Sequence, residues 1–415
     1  MFRSSQNTDG PTVYWVNQYA VTPDQPGGTR HYEMAAALRS RGLDVRIVAS
    51  DLNLTTRSYS RRSSAEDRRS LDEEVAGVPF TWLAAGRYDR NDWRRALSMF
   101  VFSWQVFVYL LRTARRGDVV IGSSPQLLAA GSARLAALLC RGRFVLEVRD
   151  LWPESLTGVS GRNSPMAAAL RVVANCLYRT SRAIVILAEG SREPIVRHGG
   201  KPARITFVPN GVDLEAFVTA SDPLPSSLAW IEESPTFVYA GAHGPANGLD
   251  LVLDAAEQLQ RSARNDLRVL LVGDGPAKAE LRAASQRRGL NNVVFHGPVP
   301  KQQIPAILRR CTGGLMVLKD VELFRYGVSP NKLFDYLACD LPVVTNVPGD
   351  VARTVEEAAA GIVVPPGDAG ALASAMIAIA EGELGRGSGA RYVQQHRDRR
   401  VLADRLGHVI DAVSR

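Results

Sequence analysis

The sequence predicts an α/β protein built from two Rossmann-like domains, each a parallel sheet covered by helices on both faces. Three observations predict it. Apolar strand-length runs alternate with helical stretches along the chain, the pattern of parallel sheets with crossover helices. The alternation pauses near the middle, at Val208-Pro209-Asn210-Gly211-Val212-Asp213 and the turn-rich residues 221–227. A chain of 415 residues also exceeds one small core, so two units of about 200 residues are the natural division. The expected domains are 1–212 and 213–394, with 395–415 a C-terminal helix packing back on the first.

In the first half, residues 12–16 read as a strand, and Gly27-Gly28-Thr29 turns into a helix over 30–41 that Gly42 closes. Strands follow at 44–50, 79–83 and 119–122, the last ending in Ser123-Ser124-Pro125. A helix of small residues runs to Leu139, and the strand 144–148 leads into Arg149-Asp150-Leu151-Trp152-Pro153-Glu154. A helix over 166–179 and short strands at 183–187 and 205–208 complete the half. The second half repeats the scheme, with strands at 236–240, 268–272, 293–296, 314–318, 343–346 and 362–364. Helices are expected at 248–260, 276–288, 300–309, from Ser329-Pro330 onward, 371–381 and 390–413.

Hydrophobic residues at 46% and charged residues at 22% describe an ordinary globular protein. Cys140, Cys176, Cys311 and Cys339 form no CxxC or CxxH pair, which argues against zinc and dithiol chemistry and suits a reducing compartment. The net charge of +8 favours anionic partners: nucleotides, anionic lipid surfaces or nucleic acid. The Ser/Arg-rich stretch 57–69 reads as a mobile surface loop, and the polar residues 1–10 show no signal peptide. Residues 96–111, ALSMFVFSWQVFVYLL, are the most apolar in the chain and fall short of a spanning helix. They read either as a buried helix or as an interfacial one. The second reading rests on the interleaved aromatics and on flanking arginines: Arg87, Arg90, Arg94, Arg95, Arg112, Arg115 and Arg116.

The most informative stretch is 324–344, FRYGVSPNKLFDYLACDLPVV. A glycine loop at Gly327 and Val328 runs into Ser329-Pro330, where Ser329 is expected to cap a helix with proline in its first turn. Lys332 and Asp335 share one face of that helix, three residues apart. A helix N-terminus with a lysine suits a diphosphate, and a carboxylate one turn later suits a diol such as ribose. The chemistry alone equally allows an ordinary loop-helix-strand unit with a solvated pair.

This stretch resembles the donor-binding segment of family-4 retaining glycosyltransferases of GT-B fold. VPNGVD at 208–213, LLVGDGP at 270–276 and GGTRHYEMAAAL at 27–38 agree with that family in order. SPNKLFDYLA, VRDLWPES at 148–155 and SSP at 123–125 are similar to the subgroup, fucosamine-transferase-like, that builds bacterial surface polysaccharides and O-antigens. The resemblance implies two Rossmann-like domains facing across a cleft, retention, and no metal or other cofactor. It implies a nucleotide diphosphate sugar, UDP before GDP, as donor. Its implied acceptor is a polyprenyl-diphosphate-linked saccharide at an anionic membrane surface on the cytoplasmic side; nucleic acid is not an expected partner.

The implied donor residues are Gly241, His243, Asn247, Gly273, Asp274, Gly297, Val299, Arg325, Gly327, Val328, Ser329, Asn331, Lys332 and Asp335, with Lys332 also catalytic. His296 reads either as part of this site or as a satisfied strand-end histidine. On the acceptor side stand Gly27, Gly28, Thr29, Arg30 and Arg149, with His31 and Asp150 as candidate bases or acids and Glu154 as a weaker one. His31 reads equally as a helix-surface histidine. Three departures matter: relatives carry an acid where Gly327 stands, an arginine where Ala242 stands and a lysine where Asn247 stands. Two other functions stay open on these residues, a sugar-nucleotide 2-epimerase and a catalytically weak sugar-nucleotide-binding partner subunit. GG without a GxGxxG pattern argues against a nicotinamide enzyme.

Overall fold

Strands rich in Val, Ile, Phe and Trp form two separate sheets, one in each half of the chain. The computed structural model describes residues 10–25, 27–53, 58–61, 70–88, 93–152, 165–219, 223–321, 324 and 327–415. Arg90, Glu154 and Arg325 lie outside the described residues, as does most of the stretch 57–69. Two units result, Met1–Pro209 with Arg399–Arg415, and Asn210–Asp398. Their boundaries stand a few residues from the expected 212/213 and 394/395.

The first unit holds β1 (Val13–Val16), α1 (Arg30–Ser40), β2 (Val45–Ser50), β3 (Leu71–Val75), β4 (Val78–Leu83), α2 (Trp93–Thr113) and β5 (Val119–Ser123). It continues through α3 (Leu127–Leu139), β6 (Arg143–Val148), α4 (Pro165–Thr180), β7 (Ala183–Ile186), α5 (Arg192–Arg197) and β8 (Ile205–Phe207). The sheet order is β3-β4-β2-β1-β5-β6-β7-β8. Every pairing is parallel except β3 with β4. β3 escapes sequence reading because LDEEV is polar and half-exposed, a solvated edge strand. Its hairpin turns on Ala76 and Gly77, both with positive φ (45° and 83°), as a two-residue turn requires.

The second unit runs α6 (Leu214–Thr219), β9 (Thr236–Ala240), α7 (Leu249–Arg261), β10 (Arg268–Val272), α8 (Lys278–Arg287), β11 (Val293–His296) and α9 (Ile304–Arg310). It ends with β12 (Gly313–Met316), α10 (Asn331–Ala338), β13 (Val343–Thr345), α11 (Asp350–Glu357), β14 (Gly361–Val363), α12 (Ala369–Ala380) and α13 (Gly389–His396). Its sheet is parallel, in the order β11-β10-β9-β12-β13-β14. The helix expected over 390–413 is two helices, α13 and α14 (Arg399–Ser414). They part at Arg397 and Asp398, where Val212 N donates to Arg397 O at 3.1 Å and Val212 bridges Asp398. α14 belongs to the first unit. Leu402, Leu406 and Ile410 enter its core, and Arg399 Nε donates to Glu33 Oε2 of α1 at 2.6 Å.

Strand alternation in the first unit separates two helical layers. Val13, Trp15, Val119 and Ile121 share a core with α1 and α14. Tyr14 points the other way, its hydroxyl donating to Thr113 O of α2 at 3.2 Å and its ring meeting Tyr109. α2 is not the fully buried helix that one reading of 96–111 expects. Ser98, Phe102, Val106 and Leu110 turn inward, while Phe100 and Trp104 are 62% and 60% exposed. Of the cysteines, Cys311 and Cys339 are buried, Cys140 is partly exposed and Cys176 is exposed, all as free thiols. Arg61 pairs with Asp24 and Glu73 at 3.1 and 2.7 Å, so this part of the Ser/Arg-rich stretch is anchored.

Candidate active site

In the second unit the loop after β9 meets the first turn of α10 on one side and the loop after β10 on the other. A Cβ on Gly241 would lie 3.1 Å from Lys332 Cε and 3.3 Å from its Nζ, so a side chain there would press on the lysine where it now rests. Gly273 (φ 142°) packs so closely that a Cβ there would lie 1.9 Å from Gly241 O. Asp274 O accepts from His243 N at 2.8 Å, and Lys278 Nζ donates to Gly273 O and His296 O at 2.7 and 3.0 Å. The three strand ends are thus tied together, β9 to β10 through backbone and β10 to β11 through the Lys278 ammonium.

Lys332 Nζ donates to the Tyr239 hydroxyl at 2.6 Å and stands 3.9 Å from that ring's centroid. Burial pushes its pKa from 10.5 down to about 7. Tyr239, itself pushed up by burial, donates onward to Ala242 O at 2.9 Å. Asn247 Nδ2 donates to the same carbonyl at 2.8 Å. Asn247, expected near donor oxygens, therefore closes its own loop. The His243 side chain is fully buried with both ring nitrogens unpartnered, and burial lowers its pKa, with Lys278 adding to the effect. Asn331 Oδ1 is likewise buried without a partner. Asp335 is half-buried, one turn beyond Lys332 on α10.

Ser329 does not cap α10. The N-cap is Pro330, without a side-chain cap bond, and Ser329 Oγ accepts from Asn210 N at 2.8 Å. The helix therefore starts one residue later than the sequence suggests, with proline still extended. Gly327 takes φ 97° and donates to Phe324 O at 3.2 Å, and Val328 packs against the unit's core. Gly297 and Val299 follow β11, partly buried. His296 is a satisfied strand-end histidine: Nε2 lies 3.1 Å from Ser227 Oγ and Nδ1 2.9 Å from Gly297 O.

In the first unit the expected acceptor residues divide into two groups. Gly27 (φ 141°) and Gly28 are exposed, while Thr29, Arg30 and His31 are buried. The Thr29 hydroxyl donates to Glu33 Oε1. Arg30 does not face solvent: its guanidinium holds Glu147 Oε1 at 3.1 Å, Pro209 O at 2.6 Å and Val208 O at 3.0 Å. His31 is neither a helix-surface histidine nor an exposed base. It is 1% exposed, with Nε2 2.9 Å from Asn17 Nδ2 and 3.2 Å from Glu147 Oε2. Burial lowers its pKa from 6.5 to about 4, against the pull of Glu147. Burial alone would raise the Glu147 carboxyl, but Arg30, His31 and Arg149 together hold it well below the usual range.

Glu147 also accepts from Ser123 Oγ at 2.6 Å and from Trp15 Nε1 at 3.3 Å. A buried network of this kind fixes the backbone beneath the Gly27–Gly28 loop, and removing one charged partner leaves the other uncompensated. Sequence reading missed Glu147, Asn17, Trp15, Tyr239 and Lys278. The available signals were a lone acid inside the apolar strand FVLEV and a tyrosine two residues before Gly241.

Arg149 and Asp150 stand at the end of β6, partly exposed and exposed, and desolvation by the surrounding protein pushes the Asp150 carboxyl up. Ser124 Oγ accepts from their backbone nitrogens at 2.8 and 3.2 Å, so the SSP motif positions the RD motif. Among the described residues no group of three or more His, Cys, Asp or Glu side chains is arranged to hold a metal ion.

Two family models match, "Glycosyl transferase 4-like domain" over residues 27–211 and "Glycosyl transferases group 1" over 234–381. The two models together account for most of the chain, which is a glycosyltransferase. Relatives include WcaI of Escherichia coli (strain K12), named for colanic acid biosynthesis, 26% identical over 79% of this chain and 80% of its own length. WbjE of Pseudomonas aeruginosa, named as a probable glycosyltransferase, is 25% identical over 72% of this chain and 76% of its own length. Among solved structures, Anabaena Alr3699/HepE in complex with UDP superposes with a TM-score of 0.68 at 16% identity, covering 97% of this chain and 100% of its own. The glycosyltransferase is thus a GT-B protein of two Rossmann-like domains.

Proposed function

We propose that this glycosyltransferase moves a sugar from a nucleoside diphosphate sugar, UDP rather than GDP, to a polyprenyl-diphosphate-linked saccharide. The setting is bacterial surface polysaccharide synthesis on the cytoplasmic side of the membrane. The observation that carries this reading is Lys332, whose ammonium stands between Gly241 and Tyr239 at the first turn of α10. A desolvated lysine at a helix N-terminus is suited to a diphosphate that gains charge as it leaves. Asp335 accepts from the ribose hydroxyls, and Gly273 gives the nucleotide close access to backbone. WcaI, named for colanic acid biosynthesis, supports the polysaccharide setting, and the UDP complex of the Anabaena protein supports the donor class.

In the proposed reaction the acceptor hydroxyl attacks the anomeric carbon on the face the diphosphate leaves. The new C–O bond forms as the old anomeric C–O bond breaks. The acceptor's proton passes to the departing phosphate oxygen, giving UDP and a retained glycoside. Lys332 and the backbone N–H groups of the α10 turn meet the departing charge without a metal. The test is a set of radiolabelled nucleotide sugars offered to lipid-linked acceptors, with EDTA present. Label appearing in the lipid product supports the reading. Conversion of the sugar nucleotide without acceptor identifies an epimerase instead, and tight UDP binding without turnover a non-catalytic subunit.

A further inference from the structure

The large apolar side chains that the first unit leaves in solvent are concentrated on one layer of it. On α2 they are Trp93, Leu97, Phe100, Trp104 and Leu111, a single stripe at helical spacing. On α3 they are Leu128, Leu135, Leu138 and Leu139, and on α4 Met166 and Val172. α3 packs against both α2 and α4, so the three helices form one layer. α2 and α3 are tied at both ends: Gln126 Nε2 donates to Met99 O at 2.8 Å, and Cys140 Sγ to Leu110 O at 3.7 Å. α2 therefore lies along the unit rather than projecting from it.

The amphipathicity of α3 is inverted. Its buried face carries alanines, among them Ala129, Ala130, Ala133 and Ala137, and its outer face carries leucines. A helix meant for water does the opposite, and monomeric soluble proteins rarely expose a contiguous apolar patch of this kind. The sequences of α2, α3 and α4 contain no Asp or Glu. They carry Arg94, Arg95, Arg112, Arg134, Arg171 and Arg179, and Arg115 and Arg116 follow α2. A second copy seated on this face would set arginine against arginine about a twofold axis. An anionic lipid surface offers both the apolar phase and the opposite charge.

We propose that the α2–α3–α4 layer is a monotopic seat in an anionic phospholipid bilayer. The leucine and aromatic stripes enter the acyl boundary, and the arginines meet the headgroups. The inference stands on the first unit alone and does not depend on the donor reading.

The test is flotation of the full chain with phosphatidylcholine vesicles, with and without phosphatidylglycerol, at low and high salt. Tryptophan quenching by brominated lipid reads insertion in the wild type, and UDP binding and circular dichroism report folding of each variant. Wild type is expected to float with anionic vesicles, to be released by salt in part, and to be quenched. The variants Phe100→Glu/Trp104→Glu on α2 and Leu135→Glu/Leu138→Glu on α3 should each weaken binding by roughly tenfold or more. Arg112→Glu/Arg115→Glu/Arg116→Glu should remove the preference for anionic lipid. Failure of the wild type to float at low salt overturns the proposal. So does an α3 variant that binds as wild type, or sedimentation showing that the face instead closes a dimer that excludes vesicles.

Discussion

Replacing Lys332 by alanine tests the donor site at its most sensitive atom. In the free protein the Lys332 pKa is about 7, so close to half of the lysines carry a charge at pH 7. A bound diphosphate in hydrogen-bond contact favours the charged form and draws that proton in. A charge-assisted hydrogen bond contributes about 1.5–3 kcal/mol, so Lys332→Ala should weaken UDP by roughly 10–150-fold at neutral pH. Uridine, which lacks the diphosphate, should change little. Between pH 7 and 9 the charged fraction of the free protein falls about fiftyfold, so wild-type UDP affinity should fall with it and approach that of the variant. Stability carries the opposite sign. The folded pKa of about 7 lies below the ordinary 10.5, so the unfolded chain binds more protons across that window. Wild-type stability is therefore penalised below pH 7 and recovers as pH rises toward 10.5. Lys332→Met should accordingly melt higher than wild type at pH 7 while binding UDP poorly. Calorimetric titration of UDP and uridine across pH 7–9 checks the first part, and thermal melts the second. Equal UDP affinity in wild type and Lys332→Ala, or a difference that does not move with pH, would refute the reasoning.

Asp335→Ala should weaken UDP and uridine alike, by about 1.5–3 kcal/mol, because its proposed partner is ribose; titration of both ligands distinguishes it from Lys332→Ala. His31 has its pKa lowered from 6.5 to about 4, so its contribution is fully present above pH 6.5 and is lost as pH falls toward 4. Denaturant melts of His31→Asn should show a flatter pH profile across that window than wild type. Asp150→Asn should lower kcat and leave UDP affinity nearly intact, since an acceptor-side group has no part in nucleotide binding. Ala242→Arg with Asn247→Lys should raise UDP affinity, read by the same titration, and an unchanged affinity would remove that loop from the diphosphate.

The fold was legible because parallel strands buried on both faces are nearly continuous apolar runs, and β9 and β10 begin and end where that pattern does. β3 was not, because a solvated edge strand has a polar sequence. Spacing located Lys332 but not its environment, because Tyr239 lies 93 residues away and reaches it only through the pairing of β9 with β12 and the packing of α10. Local chemistry misled at Ser329, whose hydroxyl is taken by Asn210, 119 residues distant. It misled at Arg30 and His31 for the same reason: both read as first-turn surface groups, yet Glu147, 117 and 116 residues away, draws them into the interior. Apolar periodicity records which side of a helix avoids water. It did not record that α3 turns its alanines inward and its leucines outward, because that distinction depends on the neighbour and not on the helix.

The departures at Ala242, Asn247 and Gly327 acquire a physical sense from this arrangement. Like charges placed beside Lys332 would lower its pKa further and, once a diphosphate arrived, hold it with permanent charge. Here Ala242 contributes a carbonyl instead, and it is engaged by two neutral donors, Tyr239 and Asn247. The Lys332 ammonium rests on a phenol and an aromatic face rather than on a carboxylate. The bond to Tyr239 does not offset burial, which brings its pKa close to neutrality. On the proposed donor reading, a lysine held this way gains its full charge when the diphosphate enters and can give the proton up when it leaves. The proposed site would then hold a nucleoside diphosphate product less tightly than a site with three cations. The interactions that strengthen as the diphosphate departs are then the ones that favour turnover over tight binding.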